Sequence, residues 1–521
     1  MWSGCCPSNC LFAWLRRYPA FQTKPDVCGI LDHMLGGAAM NQLKPALMIL
    51  FGSTGDLAAK KLFPSLYTLF TDGWLAPQTR VLGIGRRDWS QADFQDTVLT
   101  AVRASQPVRG DDVSDFLEIF TYHQMDISQP DDYTALWRTV EHMEEAVGFS
   151  HNRLFFLATA PELFPVVADQ IGRGQPRVPG SFRRLMIEKP FGRDLASARN
   201  FNQHLRRYFE EEEILRIDHY LGKEMLQNIL VLRFANHLFE PTLSAEHIDH
   251  IQITISEKIG IGQRGGYYDH SGALRDMVQN HILQLLALLT MERPERFDSE
   301  GLRDAKVKLF RSIRHFSTDI LTEAVVLGQY ATGPADEKAY RSEKGVDPES
   351  TTETFAALRF DIDNPRWQGT PVFVRTGKYM ARRHASITIV YKQSAYPSLP
   401  QPAEPNRLII RIQPAEGVDL RYNIKKPGTE LTAIPVEMDF CQTCNFPGQS
   451  AEAYVKLLMD AWRGDLNLFT RWDEIEATWT LIDSLLDQRD DLPVYPYPAG
   501  RDGPEQADEM MSRHQRQWLD V

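Results

Sequence analysis

The chain predicts a two-part α/β plus α+β protein: an N-terminal Rossmann-like, doubly wound parallel sheet, then a larger C-terminal part on a mostly antiparallel sheet. Three observations carry this expectation. From Ala46 onward the pattern runs strand, glycine turn, helix, strand, and then repeats. Past Gly222 short apolar runs alternate with polar residues, and long helical connections become rarer. At 521 residues the chain is too long for one ordinary domain.

Residues 1–39 read differently from the rest. Their apolar run, 11–15, is too short for a secretory core, and Arg16-Arg17 follow it instead of preceding it. Met40 offers a second start, so 1–39 is expected to be a non-core extension or a start artefact. Residues 46–51 form the first predicted strand, and 56–70 the first helix, with Leu62, Leu66 and Leu69 at helical spacing. Later strands are expected at 81–85, 153–158 and 184–187. A boundary near Ile217 separates a dinucleotide-binding domain, 40–217, from a substrate and dimerisation domain, 218–500. In the latter, strands are expected at 248–256, 355–360, 372–375, 386–391 and 407–412. A helix from Gly272 carries Leu274, Met277, Val278, His281, Ile282, Leu285 and Leu289 at spacings of three and four. Glu210 to Glu213 read as a solvated helix end. The charged, Met-containing tail, 501–521, is expected to fray.

Bulk properties exclude some functions. A net charge of −12 argues against nucleic acid and acidic membranes as partners. No apolar run approaches the roughly 20 residues needed to span a bilayer. Cys441 and Cys444 form a C-x-x-C, but zinc takes four ligands and no second pair lies nearby, so no metal is expected. The pair reads as structural thiols. Cys5, Cys6, Cys10 and Cys28 lack a matching His cluster. Six cysteines in all make no disulfide framework, and a reducing cytoplasm is expected.

The densest chemistry is Arg216-Ile217-Asp218-His219-Tyr220-Leu221-Gly222-Lys223-Glu224, at the head of an apolar helix. Buried unpaired polar groups are costly, so the stretch is poor core material. Lys223 with His219 and Tyr220 suits an anion at a helix N-terminus. Asp218 would repel that anion and is expected to face elsewhere. The plainer alternative is an N-cap Asp on a solvated helix start.

Gly52-Ser53-Thr54-Gly55-Asp56 follows a strand and opens a helix, where a dinucleotide pyrophosphate would rest on backbone N–H groups. The spacing is not the usual one, and a plain tight turn fits it equally. Arg86 and Arg87 end the second strand, with no carboxylate before Asp88. That favours the 2′-phosphate of NADP over the hydroxyl of NAD, against the alternative of a solvated loop. Lys189, after Glu188, projects from a strand end into the crevice of the sheet. His281, on an apolar helix face, could equally be a core histidine.

Arg216 to Glu224 resembles the signature of glucose-6-phosphate dehydrogenases, and four further segments agree in order. They are Gly52-Ser53-Thr54-Gly55-Asp56-Leu57-Ala58, Glu188-Lys189-Pro190-Phe191-Gly192, Arg264-Gly265-Gly266-Tyr267-Tyr268-Asp269, and Arg366-Trp367-Gln368-Gly369 leading to Arg375-Thr376-Gly377-Lys378. A sixth, Arg463-Gly464-Asp465 with Asp473-Glu474, looks like the family's C-terminal helix region. The likeness runs from about Leu43 to about Pro498.

The resemblance implies oxidation of glucose 6-phosphate at C1 to the lactone, the first step of the oxidative pentose phosphate pathway. Hydride passes to NADP, with NAD as a secondary cofactor, and the assembly is a homodimer or homotetramer. It makes His281 the general base and Asp218 the partner of its other ring nitrogen. His219, Tyr220 and Lys223 bind the phosphate, Glu257 and Asp276 the sugar hydroxyls. Lys189 contacts substrate and cofactor, and Lys378 reaches the substrate. Many members carry a lysine where this chain has Arg383, and a tyrosine where it has Phe164; Ser53 and Thr54 replace the family's usual Ala and Ser. Two rivals are another Rossmann-type sugar oxidoreductase, which would not require a phosphate site, and a non-catalytic NADP-binding regulator, which would not need His281 with Asp218.

Overall fold

Five apolar residues, Leu47–Phe51, form β1, and all five are buried because helices cover both faces of a parallel sheet. Met48 and Leu50 pack on one side with Phe63 and Leu66, while Leu47, Ile49 and Phe51 pack on the other with Tyr133 and Leu136. The computed structural model describes residues 42–108, 112–148, 151–334, 337–393, 403–446 and 452–520. The extension 1–39 and the four N-terminal cysteines lie outside them.

The first sheet continues with β2 (Arg80–Gly85), β3 (Phe120–Gln124), β4 (Arg153–Leu157), β5 (Arg183–Glu188) and β6 (Ile214–Ile217). Helices α1 (Phe63–Thr71), α2 (Gln91–Ser105) and α3 (Leu195–Leu205) lie on its faces. These six strands are parallel, with β1 between β2 and β4, so the strand order reverses there. A crevice opens at the carboxyl ends of strands at such a switch point.

The second sheet has nine strands: β7 (Ile248–Ser256), β8 (Val325–Ala331), β9 (Phe355–Phe360), β10 (Val372–Gly377), β11 (His384–Tyr391), β12 (Arg407–Gln413), β13 (Gly417–Lys425), β14 (Ala433–Cys441) and β16 (Val494–Pro498). Among the described residues only β10 with β7 and β16 with β8 pair in parallel; the other neighbours are antiparallel. Between them β15 (Phe469–Thr470) returns to the first sheet and pairs with β6. Helices α4 (Glu224–Phe234), α5 (Leu283–Thr290), α6 (Ala453–Arg463) and α7 (Trp472–Leu486) share one hydrophobic core with residues of both sheets. Among the described residues no helix is long and apolar enough to cross a membrane.

Four expectations need correction. The tail is docked, not frayed: α8 (Glu505–Arg513) buries Met510 and Met511. Beyond it Gln252 of β7 holds the backbone of Gln517 and Leu519, each at 2.9 Å, so the polar alternate residues of β7 are buried as well. Cys441 and Cys444 are joined in a disulfide across the turn Gln442–Asn445, because three residues of separation bring the two sulfurs together. The run Glu210 to Glu213 is not a solvated helix end. Glu213 is buried against Arg183 at 2.9 Å, and Glu211 meets Arg216 at 2.5 Å. The helix from Gly272 is not α-helical over Leu274–Ile282 but a π-helix.

Candidate active site

The last correction decides the site. In an α-helix residues turn by about 100° each, so positions 276 and 281 would point roughly 140° apart. A π-helix closes its hydrogen bonds five residues apart, which stacks Asp276 and His281 on one side. Both are buried and both meet Lys189, delivered from the end of β5. The Lys189 ammonium donates to His281 Nε2 at 2.9 Å, to the Asp276 carbonyl at 2.7 Å and to Asp276 Oδ1 at 3.2 Å.

His281 Nδ1 lies 2.5 Å from Asp218 Oδ1, and both side chains are buried. An ammonium has donors only, so Nε2 accepts from Lys189 and Nδ1 carries the hydrogen given to Asp218. The lone pair of a neutral imidazole therefore faces the cavity. Burial lowers the His281 pKa; Asp218 opposes that shift, and Lys189 adds to it. Burial by itself would raise Asp218, but His281, through charge and hydrogen bond, outweighs it and holds the carboxyl at about 2. The dyad is thus carboxylate plus neutral imidazole near pH 7.

Asp218 does not face elsewhere, as the sequence suggested: its Oδ1 also accepts from the Tyr220 backbone N–H at 2.9 Å, and its carboxylate lies within 4.8 Å of a His219 ring nitrogen. Tyr220 stacks on His281 with ring centroids 4.3 Å apart, and His219 packs edge-on at 4.7 Å. Lys223 precedes α4, sits 4.8 Å from the Tyr220 ring and donates to Gln413 Oε1 at 2.6 Å. Burial lowers the Lys223 pKa, and Arg383 lowers it further. His219 lies well below an ordinary imidazole through burial and the nearby His281 and Lys189. On the far wall Lys378 pairs with Glu257 and lies 3.7 Å from Asp276. Burial would raise Asp276, but Lys189 and Lys378 hold it strongly down. Arg383 stands exposed at the rim.

All of these residues except Asp218, which lies behind His281, line a cavity of about 590 Å³. A second, about 700 Å³, is lined by Phe164, Pro190, Phe191, Tyr267, Arg275 and others. Lys189 lines both. The second cavity lies by the ends of β4 and β5, one strand beyond the turn after β1. There Gly52 adopts φ +84°, and a Cβ on it would come within 2.3 Å of the Ala158 carbonyl. The turn Gly52-Ser53-Thr54-Gly55 opens the helix at Asp56, which is exposed and pairs with Lys60 at 2.6 Å. Arg86 and Arg87 are exposed at the end of β2. A close-packed glycine turn that opens a helix, with two exposed arginines at the end of the neighbouring strand, suits the phosphates of a dinucleotide.

Several lining residues were not predicted. Lys61, Arg264, Gln413, Glu416, Glu452 and Tyr454 share the first cavity. Lys61 pairs with Glu452 at 2.8 Å, and Tyr454 donates to Glu188 at 2.6 Å. Burial pushes that glutamate up to about 7, against the Tyr454 hydrogen bond. Of these six only Arg264 carried a sequence signal, the Arg-Gly-Gly-Tyr-Tyr-Asp segment.

The glucose-6-phosphate dehydrogenase NAD binding domain matches residues 49–228, and the glucose-6-phosphate dehydrogenase C-terminal domain matches residues 230–519. The chain is 40% identical over 489 residues to the glucose-6-phosphate 1-dehydrogenase of Bacillus subtilis (strain 168), covering 92% of this chain and 99% of the relative. Against the Chlamydia pneumoniae enzyme of that name it is 41% identical over 514 residues, covering 94% and 99%. Among solved structures it resembles a glucose-6-phosphate dehydrogenase in complex with its substrate glucose-6-phosphate: TM-score 0.85, 34% identity, 92% of this chain and 99% of that one. A Mycobacterium avium glucose-6-phosphate 1-dehydrogenase follows at TM-score 0.79, 32% identity and the same coverage.

Proposed function

The chain belongs to the glucose-6-phosphate dehydrogenase family, and on that premise we propose how its residues divide the work. It is an oxidoreductase that acts on the C1 CH–OH group of glucose 6-phosphate and yields 6-phosphoglucono-δ-lactone. The one observation that carries the division is Lys189, the shared wall of two cavities, in contact with the open nitrogen of His281.

In this reading His281 Nε2 takes the C1 hydroxyl proton, with the substrate hydroxyl displacing Lys189 from that nitrogen. Asp218 keeps the ring in the correct tautomer and steadies the imidazolium. Lys189 then supplies positive charge beside the reacting oxygen. His219, Tyr220 and Lys223 hold the phosphate; Glu257, Asp276, Lys378 and Arg383 hold the rest of the sugar. The nicotinamide, when bound, accepts the hydride. The segment 52–56, with Arg86, Arg87 and Lys189, holds the cofactor. NADP is preferred to NAD, because two arginines stand at the ribose position with no acid before Asp88.

The dinucleotide domain spans 40–217, the substrate and dimerisation domain 218–500, with 1–39 outside the catalytic fold. A homodimer or homotetramer belongs to this reading, and exposed Ile424, Met438 and Phe440 on β13 and β14 support it. Residence in the cytoplasm fits a charged sugar phosphate, which does not cross a bilayer unaided.

Turnover of the purified protein tests the reading. Glucose 6-phosphate with NADP should give far higher kcat/KM than glucose with NADP. Equal values for the two sugars would remove the phosphate site.

A further inference from the structure

The segment that carries the two arginines is braced, and the brace does not touch the catalytic cluster. Tyr122 of β3 donates its hydroxyl to the Arg87 carbonyl at 2.7 Å. Its backbone N–H donates to Gln91 Oε1 at 3.0 Å, and Gln91 Nε2 returns to the Phe120 carbonyl at 2.7 Å. The Arg87 guanidinium lies over the Trp89 ring, 4.8 Å from its centroid, and the Trp89 N–H closes back on the Arg87 carbonyl at 3.0 Å. Trp89 and Tyr122 pack together with centroids 5.9 Å apart, and Phe94 of α2 backs Tyr122 at 5.0 Å. A Cβ on Gly85 would meet the Thr54 methyl at 2.6 Å and the Tyr122 hydroxyl at 3.0 Å. The glycine turn, the arginine segment and Tyr122 thus close on one point.

We propose that Tyr122 and Trp89 are positioning residues for cofactor choice. They fix the peptide after Arg87, the residue next to Arg86, so that the Arg86 guanidinium meets a 2′-phosphate, and they keep Arg87 flat as a wall for the adenine. Two loosely held arginines would give charge without direction, whereas bidentate pairing with a phosphate needs a set geometry. The inference rests on the NADP reading and names the residues that enforce it. Neither residue bears on the sugar site.

Calorimetric titration with two fragments tests it: 2′,5′-ADP, which carries the phosphate, and 5′-AMP, which lacks it. Tyr122→Phe removes one hydroxyl and should weaken 2′,5′-ADP about two- to tenfold, the range for one neutral hydrogen bond, while 5′-AMP changes less than twofold. Trp89→Leu, which leaves Tyr122 in place, should weaken both fragments, with the larger loss for 2′,5′-ADP. Equal losses on both fragments, or none, in the Tyr122 variant would overturn the proposal. Arg86→Ala separates the two ideas. If it selectively loses 2′,5′-ADP while Tyr122→Phe does not, the brace fails and the NADP reading stands. If Arg86→Ala loses neither fragment, the NADP reading itself fails.

Discussion

The two ends of the active site hold charge in opposite ways. At the sugar end Asp218, Asp276, His281 and Lys378 are buried, and each ionised group faces a partner. At the ribose end Arg86 and Arg87 are exposed on a braced segment, and the glycine turn offers backbone instead of side chains. Buried charges are strongly coupled, because removing one leaves its partner desolvated and unmatched. Exposed charges act nearly alone and are screened by salt. The buried end should therefore respond to substitution with large, non-additive losses, and the exposed end with modest, salt-dependent ones.

His281→Asn is the most severe test of the buried end. Turnover should fall by at least ~10², the lower range for removing a general base, while the KM for glucose 6-phosphate stays close to that of the wild type. Stopped-turnover rates near the wild type would show that the base lies elsewhere. Asp218→Asn should cost a smaller factor and also move the pH profile. Because Asp218 raises the His281 pKa and burial lowers it, the variant's imidazole should titrate lower. The acid limb of kcat/KM, where His281 becomes protonated and inactive, should then shift to lower pH. A shift upward would contradict the ion-pair geometry.

Lys223 tests the middle of the comparison, since it is partly buried with a neutral partner, Gln413. Lys223→Ala should weaken binding of glucose 6-phosphate by on the order of 2–3 kcal/mol, read as KM. Oxidation of unphosphorylated glucose should hardly change. An equal loss on both sugars would detach Lys223 from the phosphate.

Arg86→Ala belongs to the exposed end. NADP should lose roughly tenfold or more in kcat/KM, within the range for a hydrogen bond to a charged group, and NAD little. Added salt should shrink the difference between wild type and variant. A salt-independent loss would place Arg86 in the buried class after all. The smallest effect is expected from deleting residues 1–39, which lie outside the described residues. Activity and melting temperature should stay within error, and a fall in either would show that the extension packs on the catalytic fold.

Much of this arrangement was readable from local sequence. The stretch Asp218 to Lys223 stood out because its polar density is wrong for a core, and the structure brings His219, Tyr220 and Lys223 to one cavity with Asp218 behind His281. The strand at 248–256 fell where alternation placed it. Other features left no local trace. The spacing around His281 fits an α-helix, and only the tertiary structure, with Lys189 bonded to both Asp276 and His281, reveals the π-helical stretch that brings Asp276 round to the same side. The docked tail hid behind its charge, because the contacts that hold it come from Gln252, more than 260 residues away.

From sequence alone, then, come many of the strands, the glycine turn, the order of the family's segments and the identity of many groups that line the first cavity. These depend on near neighbours along the chain: periodicity, a turn's need for glycine, and a helix start's affinity for anions. Tertiary structure alone decided which of them meet. Lys61 reaches Glu452 across 391 residues, and Lys223 reaches Gln413 across 190. It also set their protonation, since the neutral imidazole of His281 and the ionised Asp218 follow from shared burial and mutual charge. Neither burial nor the partner of a charge is written in the residues beside it.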